Sequence, residues 1–132
     1  MERPSYHGEF YNLPECTQNP KPVQTPHPPI FFGGESKPAL RRVATQGQGW
    51  MGASMMPEDL PKKLALLDNL LAEHGRKRSD IKVYTLPNIA PKADLFPQYE
   101  DLGVEQVIHL VPMKNIDDVH QRLDTMAKMA FG

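Results

Sequence analysis

After residue 29 the hydrophobic pattern of the chain switches repeatedly between two periods. Short runs rich in β-branched and aromatic residues, at Ile30–Phe32, Gly49-Trp50-Met51, Ile81–Leu86 and Gln106–Val111, read as strands. Between them apolar residues recur every three or four positions, the spacing of one helix face. A first helix runs from Ser36 to near Gly47 with Leu40, Val43 and Ala44 inward. A second runs from about Glu58 to His74 with Leu60, Leu64, Leu67 and Leu71 on one side. A third spans about Asp94 to Leu102 and carries Leu95, Tyr99 and Leu102. A fourth begins near Asn115–Asp117 and turns Ile116, Val119, Leu123, Met126 and Ala130 inward. Gly47, Gly75 and Gly103 stand where helices stop. Pro97 is tolerable because it falls in a first turn, and Asp117 and Asp118 suit the positive end of the last helix dipole. The fourth strand is apolar almost without interruption, the pattern of a parallel strand buried on both faces.

Strand–helix units in succession imply an α/β fold with parallel strands joined by right-handed crossovers. Two architectures satisfy this. One is an open, doubly wound sheet; the other is part of a TIM barrel, whose eight units typically take about 250 residues. This chain has 132 residues and four such units. In either case the loops at the carboxyl ends of the strands carry function. The first 29 residues differ in kind. Half of the chain's 14 prolines lie there: Pro4, Pro14, Pro20, Pro22, Pro26, Pro28 and Pro29. Such a segment cannot be helical and makes a poor central strand. Residues 1–29 are therefore expected to form a Pro-rich extended excursion, with a short strand near residues 9–13. Residues 30–132 are expected to hold the four units.

Charge and composition narrow the function classes. Fifteen basic and 16 acidic residues give a net charge of -1, which argues against a nucleic-acid or anionic-membrane surface. No apolar run approaches the roughly 20 residues of a membrane span. No apolar segment follows Met1–Ser5, so no signal peptide is expected, and a cytoplasmic location is the default. Cys16 is the single cysteine, which excludes an intrachain disulfide and a cysteine-based zinc site.

The best candidate for chemistry is the turn after the first strand, Gly33, Gly34, Glu35 and Ser36. Glycine lets a ligand approach the backbone closely, because no Cβ is in the way. A serine-capped helix start presents free N–H groups and the positive end of a dipole. Together they make an anion site, most often for phosphate.

The order of motifs around this turn resembles the luciferase-like monooxygenases. The carrying residues are Phe10-Tyr11-Asn12-Leu13, Lys21-Pro22-Val23-Gln24, Pro28 through Ser36, Ala39-Leu40-Arg41-Arg42, Gly47-Gln48-Gly49-Trp50-Met51 and Gly75-Arg76. The likeness continues through Asp80-Ile81-Lys82-Val83 and Gly103–Val107. It is greatest to the FMN-dependent and deazaflavin-dependent (coenzyme F-420) oxidoreductases of that superfamily. The resemblance implies a TIM barrel with reduced flavin or deazaflavin at its carboxyl-terminal mouth. It implies that backbone N–H groups of Gly33–Ser36 hold the cofactor phosphate region, and that Trp50 and Met51 line the cofactor pocket. It covers the carboxyl-terminal half of the family only. The other half would carry the usual catalytic histidine and acid, so no catalytic residue is assigned. Gln48 stands where the family usually has an acidic residue, so a contact made by that carboxylate would be changed.

The remaining candidates have plain readings. His7, His27, His74, His109 and His120 show no metal-ligand spacing. His109, inside an apolar strand, reads as a buried histidine with its hydrogen bonds satisfied. Arg76-Lys77-Arg78 reads as a solvated loop, and Met51, Met55 and Met56 as cover for an apolar pocket or as loop packing. A half-barrel would leave strand edges and an inward apolar face uncovered. A homo-oligomer, such as a dimer that rebuilds a closed barrel, or a complementing chain would cover them. The leading expectation is thus a half-barrel oxidoreductase component binding a flavin-type cofactor and a small-molecule substrate. The rivals are a non-catalytic assembly module and an independent open α/β domain for a phosphorylated ligand.

Overall fold

The computed structural model describes residues 3–111 and 114–131. At the amino-terminal end β1 (Tyr6–His7) and β2 (Asn12–Leu13) pair antiparallel, with Tyr6 opposite Leu13. The strand expected near 9–13 is therefore the second arm of a hairpin. Residues 8–11 make its turn, closed by Gly8 N–H donating to Tyr11 O at 2.9 Å.

Four parallel strands follow, β3 (Phe31–Gly33), β4 (Gly49–Ala53), β5 (Lys82–Leu86) and β6 (Gln106–Val107), and they stand in that order across the sheet. Each strand lies beside its successor, so each crossover steps in the same direction. Right-handed crossovers then place their helices on one face. These are α1 (Lys37–Gln46), α2 (Leu60–Glu73) and α3 (Phe96–Asp101). A doubly wound sheet needs a reversal of strand order, and the described strands show none. The register sets Phe32, Trp50 and Val83 in one row, with Thr85 and Val107 beside them. This row faces the helices: Trp50, Val83 and Thr85 are buried with Leu40, Val43, Leu60, Leu67, Leu71 and Tyr99. Phe31, Met51, Tyr84 and Leu86, on the opposite face, are only half-buried.

Local chemistry explains the helix ends. Ser36 caps α1, its Oγ accepting from Ala39 N–H at 3.3 Å. Pro38 sits in the first turn, where a missing N–H costs nothing. At the other end Gly47 has φ −80° and is not left-handed; space requires glycine, since a Cβ there would lie 3.0 Å from Val43 and 3.1 Å from the Phe32 ring. The Arg76 guanidinium donates to three carbonyls at the end of α1: Val43 O, which also accepts from Gly47 N–H, at 3.2 Å, Ala44 O at 3.0 Å and Gly47 O at 2.7 Å. Arg78 donates to Leu64 O at 2.7 Å and pairs with Asp68 at 2.8 Å. The basic run expected to be a solvated loop is instead the joint between α1 and α2.

Three expectations fail at the carboxyl-terminal end. The fourth strand, expected over Gln106–Val111, stops at Val107. Ile108 N–H still reaches Thr85 O at 2.8 Å, but β5 ends at Leu86 and offers no further partner, and Leu110 is 68% exposed. The fourth helix, α4 (Ile116–Phe131), forms but buries none of its residues; Ile116 is 68% and Leu123 49% exposed. Its apolar stripe is present but poorly covered among the described residues, with Val119 and Met126 only half-buried. His109 is half-buried, set edge-on to Phe96 at 6.0 Å between ring centroids. Both its ring nitrogens are buried without partners among the described residues, so it is not the satisfied histidine expected.

Two outcomes test this packing. Phe31 lies against Tyr84, 4.5 Å between ring centroids, and crosses Gly49 so closely that a Cβ there would fall 2.1 Å from the Phe31 ring. Gly49→Ala is expected to cost about 1–3 kcal/mol in urea denaturation, with Phe31→Ala in the same chain recovering part of it. An unchanged midpoint would contradict the register. Burial, with the Glu58 charge as a lesser cause, raises the Tyr99 phenol above its ordinary range. The folded state therefore holds this proton more tightly than the unfolded one. The stability it contributes is full below about pH 10 and is lost as pH rises through the raised value. Tyr99→Phe removes that alkaline slope and, by deleting the hydrogen bond to Met55 O at 2.9 Å, costs about 1 kcal/mol at neutral pH.

Candidate functional site

Gly33 closes β3 opposite Met51, at the carboxyl end of the sheet. Gly34 has φ +97°, a conformation that strains a residue with a side chain, and a Cβ there would also lie 3.2 Å from the Ala39 methyl. Two donors hold the following peptides. Trp50 Nε1–H donates to Gly34 O at 2.9 Å, and Lys63 Nζ, on α2, donates to Glu35 O at 2.9 Å. In a trans peptide the carbonyl and the next N–H point opposite ways. With both carbonyls turned toward the helix layer, the N–H groups of Glu35 and Ser36 turn away from it.

Those N–H groups, with that of Lys37, have no partner within the chain among the described residues. Pro38 has none to offer, and Ala39 N–H is taken by Ser36 Oγ. The result is a row of open donors at the start of a ten-residue helix, the geometry that accepts phosphate oxygens. The turn thus brings Gly33, Gly34, Glu35 and Ser36 together through their backbone. The Glu35 carboxylate is otherwise engaged: its Oε1 accepts from Ala53 N–H at 2.7 Å, joining the turn to the end of β4.

Other sequence candidates fall elsewhere. Trp50, expected to line a pocket, is fully buried among the helices; only its N–H reaches the turn. Met51 lies on the opposite face and is half-buried. Gln48 Oε1 accepts from Ile30 N–H at 2.9 Å, at the amino ends of β3 and β4, away from the turn. Met55 uses its carbonyl to receive Tyr99 and Thr85 hydroxyls. His27, His74 and His120 are exposed, His7 bonds Asn12 in the hairpin, and no group of metal-binding side chains occurs among the described residues. Lys63 was not legible as a site residue, because its reach to Glu35 spans 28 residues of chain and follows from how α2 packs.

Ser36→Ala is expected to cost about 1 kcal/mol of stability through loss of the cap. Trp50→Phe keeps most of the apolar burial but leaves the Gly34 carbonyl without its donor, a loss of about 1–2 kcal/mol. Urea denaturation measures both; a Trp50→Phe chain as stable as the parent would remove the indole from this account.

The sequence model of the luciferase-like monooxygenase family matches residues 1–95. An uncharacterized protein of Mycobacterium tuberculosis is 35% identical over 103 residues, which is 78% of this chain and 34% of that protein. The FMNH(2)-dependent dimethylsulfone monooxygenase of Pseudomonas putida is 48% identical over 46 residues, 35% of this chain and 12% of that enzyme. The solved structure of the coenzyme F-420-dependent tetrahydromethanopterin reductase of Methanopyrus kandleri superposes with a TM-score of 0.53 at 17% identity, covering 61% of this chain and 23% of that one. The chain spans about a third of the mycobacterial relative, 34% of its length. By the extent of the family match, this chain belongs to the luciferase-like monooxygenases.

Proposed function

We propose that this chain is the carboxyl-terminal half of a luciferase-like TIM barrel and holds the phosphate side of a flavin-type cofactor, FMN or coenzyme F-420, in an oxidoreductase or monooxygenase acting on a small molecule. The observation that carries the reading is the Gly33–Ser36 turn, whose open N–H groups at Glu35, Ser36 and Lys37 fit a phosphate. Names of relatives support the cofactor class: one is FMNH(2)-dependent and another coenzyme F-420-dependent. Gly33 and Gly34 let the ligand approach the backbone, and Trp50, Lys63 and the Glu35 carboxylate hold the turn in shape. The bound cofactor supplies the redox chemistry, and the protein binds and orients it. General acid and base groups are assigned to the half of the barrel that this chain does not match.

The half-barrel reading is supported by the sequential strand order, the helices on one face and the half-bare face opposite. A second reading, a non-catalytic assembly module, is favoured by that face and by the poorly covered stripe of α4. Both readings involve a second copy or a complementing chain over the sheet. No helix among the described residues is long and apolar enough to cross a membrane, and a cytoplasmic location is part of the proposal.

Fluorescence titration of the purified chain with FMN and with coenzyme F-420 tests the reading. Saturable binding is expected, weakened about tenfold or more by Gly34→Ala combined with Ser36→Ala, which is about 1.4 kcal/mol or more. Absence of binding to either cofactor would overturn the cofactor reading and leave the assembly module.

A further inference from the structure

Apart from the Gly33–Ser36 turn, a cavity of about 830 Å³ opens between α4 and the segments that leave the carboxyl ends of β5 and β6. Its walls are largely apolar, with Ile89, Leu110, Met126 and Met129 among them. The volume is in the range that takes a small organic ligand, and methionine side chains adapt to varied apolar shapes. The polar groups are unevenly committed. Arg122 Nε donates to Asp118 Oδ1 at 2.8 Å, and Lys114 N–H donates to Asp118 Oδ2 at 3.3 Å. Both carboxylate oxygens are thus occupied. The Nη1 and Nη2 groups of Arg122 have no partner among the described residues. A guanidinium with its fork unspent, beside an apolar hollow, matches a carboxylate that carries an apolar tail.

We propose that this cavity binds an amphipathic carboxylate, its head on the Arg122 fork and its tail among Ile89, Met126 and Met129. The ligand completes α4 as well. That helix buries none of its own residues, and Met126 and Met129 gain a packing partner when the cavity is filled. The cavity lies off the carboxyl ends of the same sheet as the Gly33–Ser36 turn but uses none of the turn's residues, so the two readings are tested separately.

The experiment is an NMR titration of the full chain, labelled with carbon-13 at the methionine methyl groups, with octanoate, decanoate and octanol. Met126 and Met129 are expected to shift saturably with octanoate, while Met51, Met55 and Met56 stay in place. Decanoate is expected to bind more tightly, by about fourfold for each added methylene buried. Arg122→Gln combined with Asp118→Asn, which removes both charges at exposed or half-exposed positions, is expected to weaken octanoate about tenfold or more and to leave octanol unchanged. Three results would overturn the proposal: no saturable shift at Met126 and Met129, equal shifts at Met51, or octanol binding the parent chain as tightly as octanoate. Failure of flavin binding in the same preparation would bear on the cofactor reading alone.

Discussion

The hydrogen bond from the Trp50 indole to the Gly34 carbonyl, 2.9 Å long, joins the packing of this protein to its candidate chemistry. Trp50 is fully buried, so its N–H must find an acceptor inside the protein. The acceptor it finds is the carbonyl of the turn glycine. Burial of the indole beneath α1 and α2 therefore fixes the direction of a peptide at the sheet's carboxyl end. Lys63 does the same for the next carbonyl from above, and the Glu35 carboxylate joins the turn to β4. The donors left open on the other side are a consequence of these three bonds. Hydrophobic packing and the open donors of the turn are thus two ends of one construction.

The second constraint is topological. Four sequential parallel strands with right-handed crossovers bury one face and leave the other to something else. The helix-facing row of Trp50, Val83 and Thr85 is closed, whereas Phe31, Met51, Tyr84 and Leu86 are half-open. The same imbalance shows in α4, which has an amphipathic sequence and no buried residue. The mycobacterial relative extends well beyond the aligned segment, which is 34% of its length.

What the sequence revealed and what it hid divide along the range of the interactions. The four strand–helix units were legible because periodicity is local: Leu60, Leu64, Leu67 and Leu71 form a stripe whatever surrounds them, and all four are buried. The turn was legible because glycine, glycine and a capping serine declare their backbone geometry. The roles of Arg76 and Lys63 were hidden. Arg76 reaches back 29 residues to Gly47 and Lys63 reaches 28 to Glu35, distances that no local pattern encodes. Trp50 misled in the opposite way, because the motif that marks it does not say which face of the strand it occupies. The last strand was overestimated because an apolar run extends only as far as a neighbour pairs with it. β5 ends at Leu86, so Leu110 stays exposed.

The proposed role of the Gly33–Ser36 turn is recognition of the phosphate of a flavin-type cofactor. Calorimetric comparison of FMN with riboflavin, which lacks that phosphate, tests it most directly. FMN is expected to bind at least about tenfold more tightly, the equivalent of about 1.4 kcal/mol, and added inorganic phosphate to erode the difference. Equal affinity for the two ligands would contradict it.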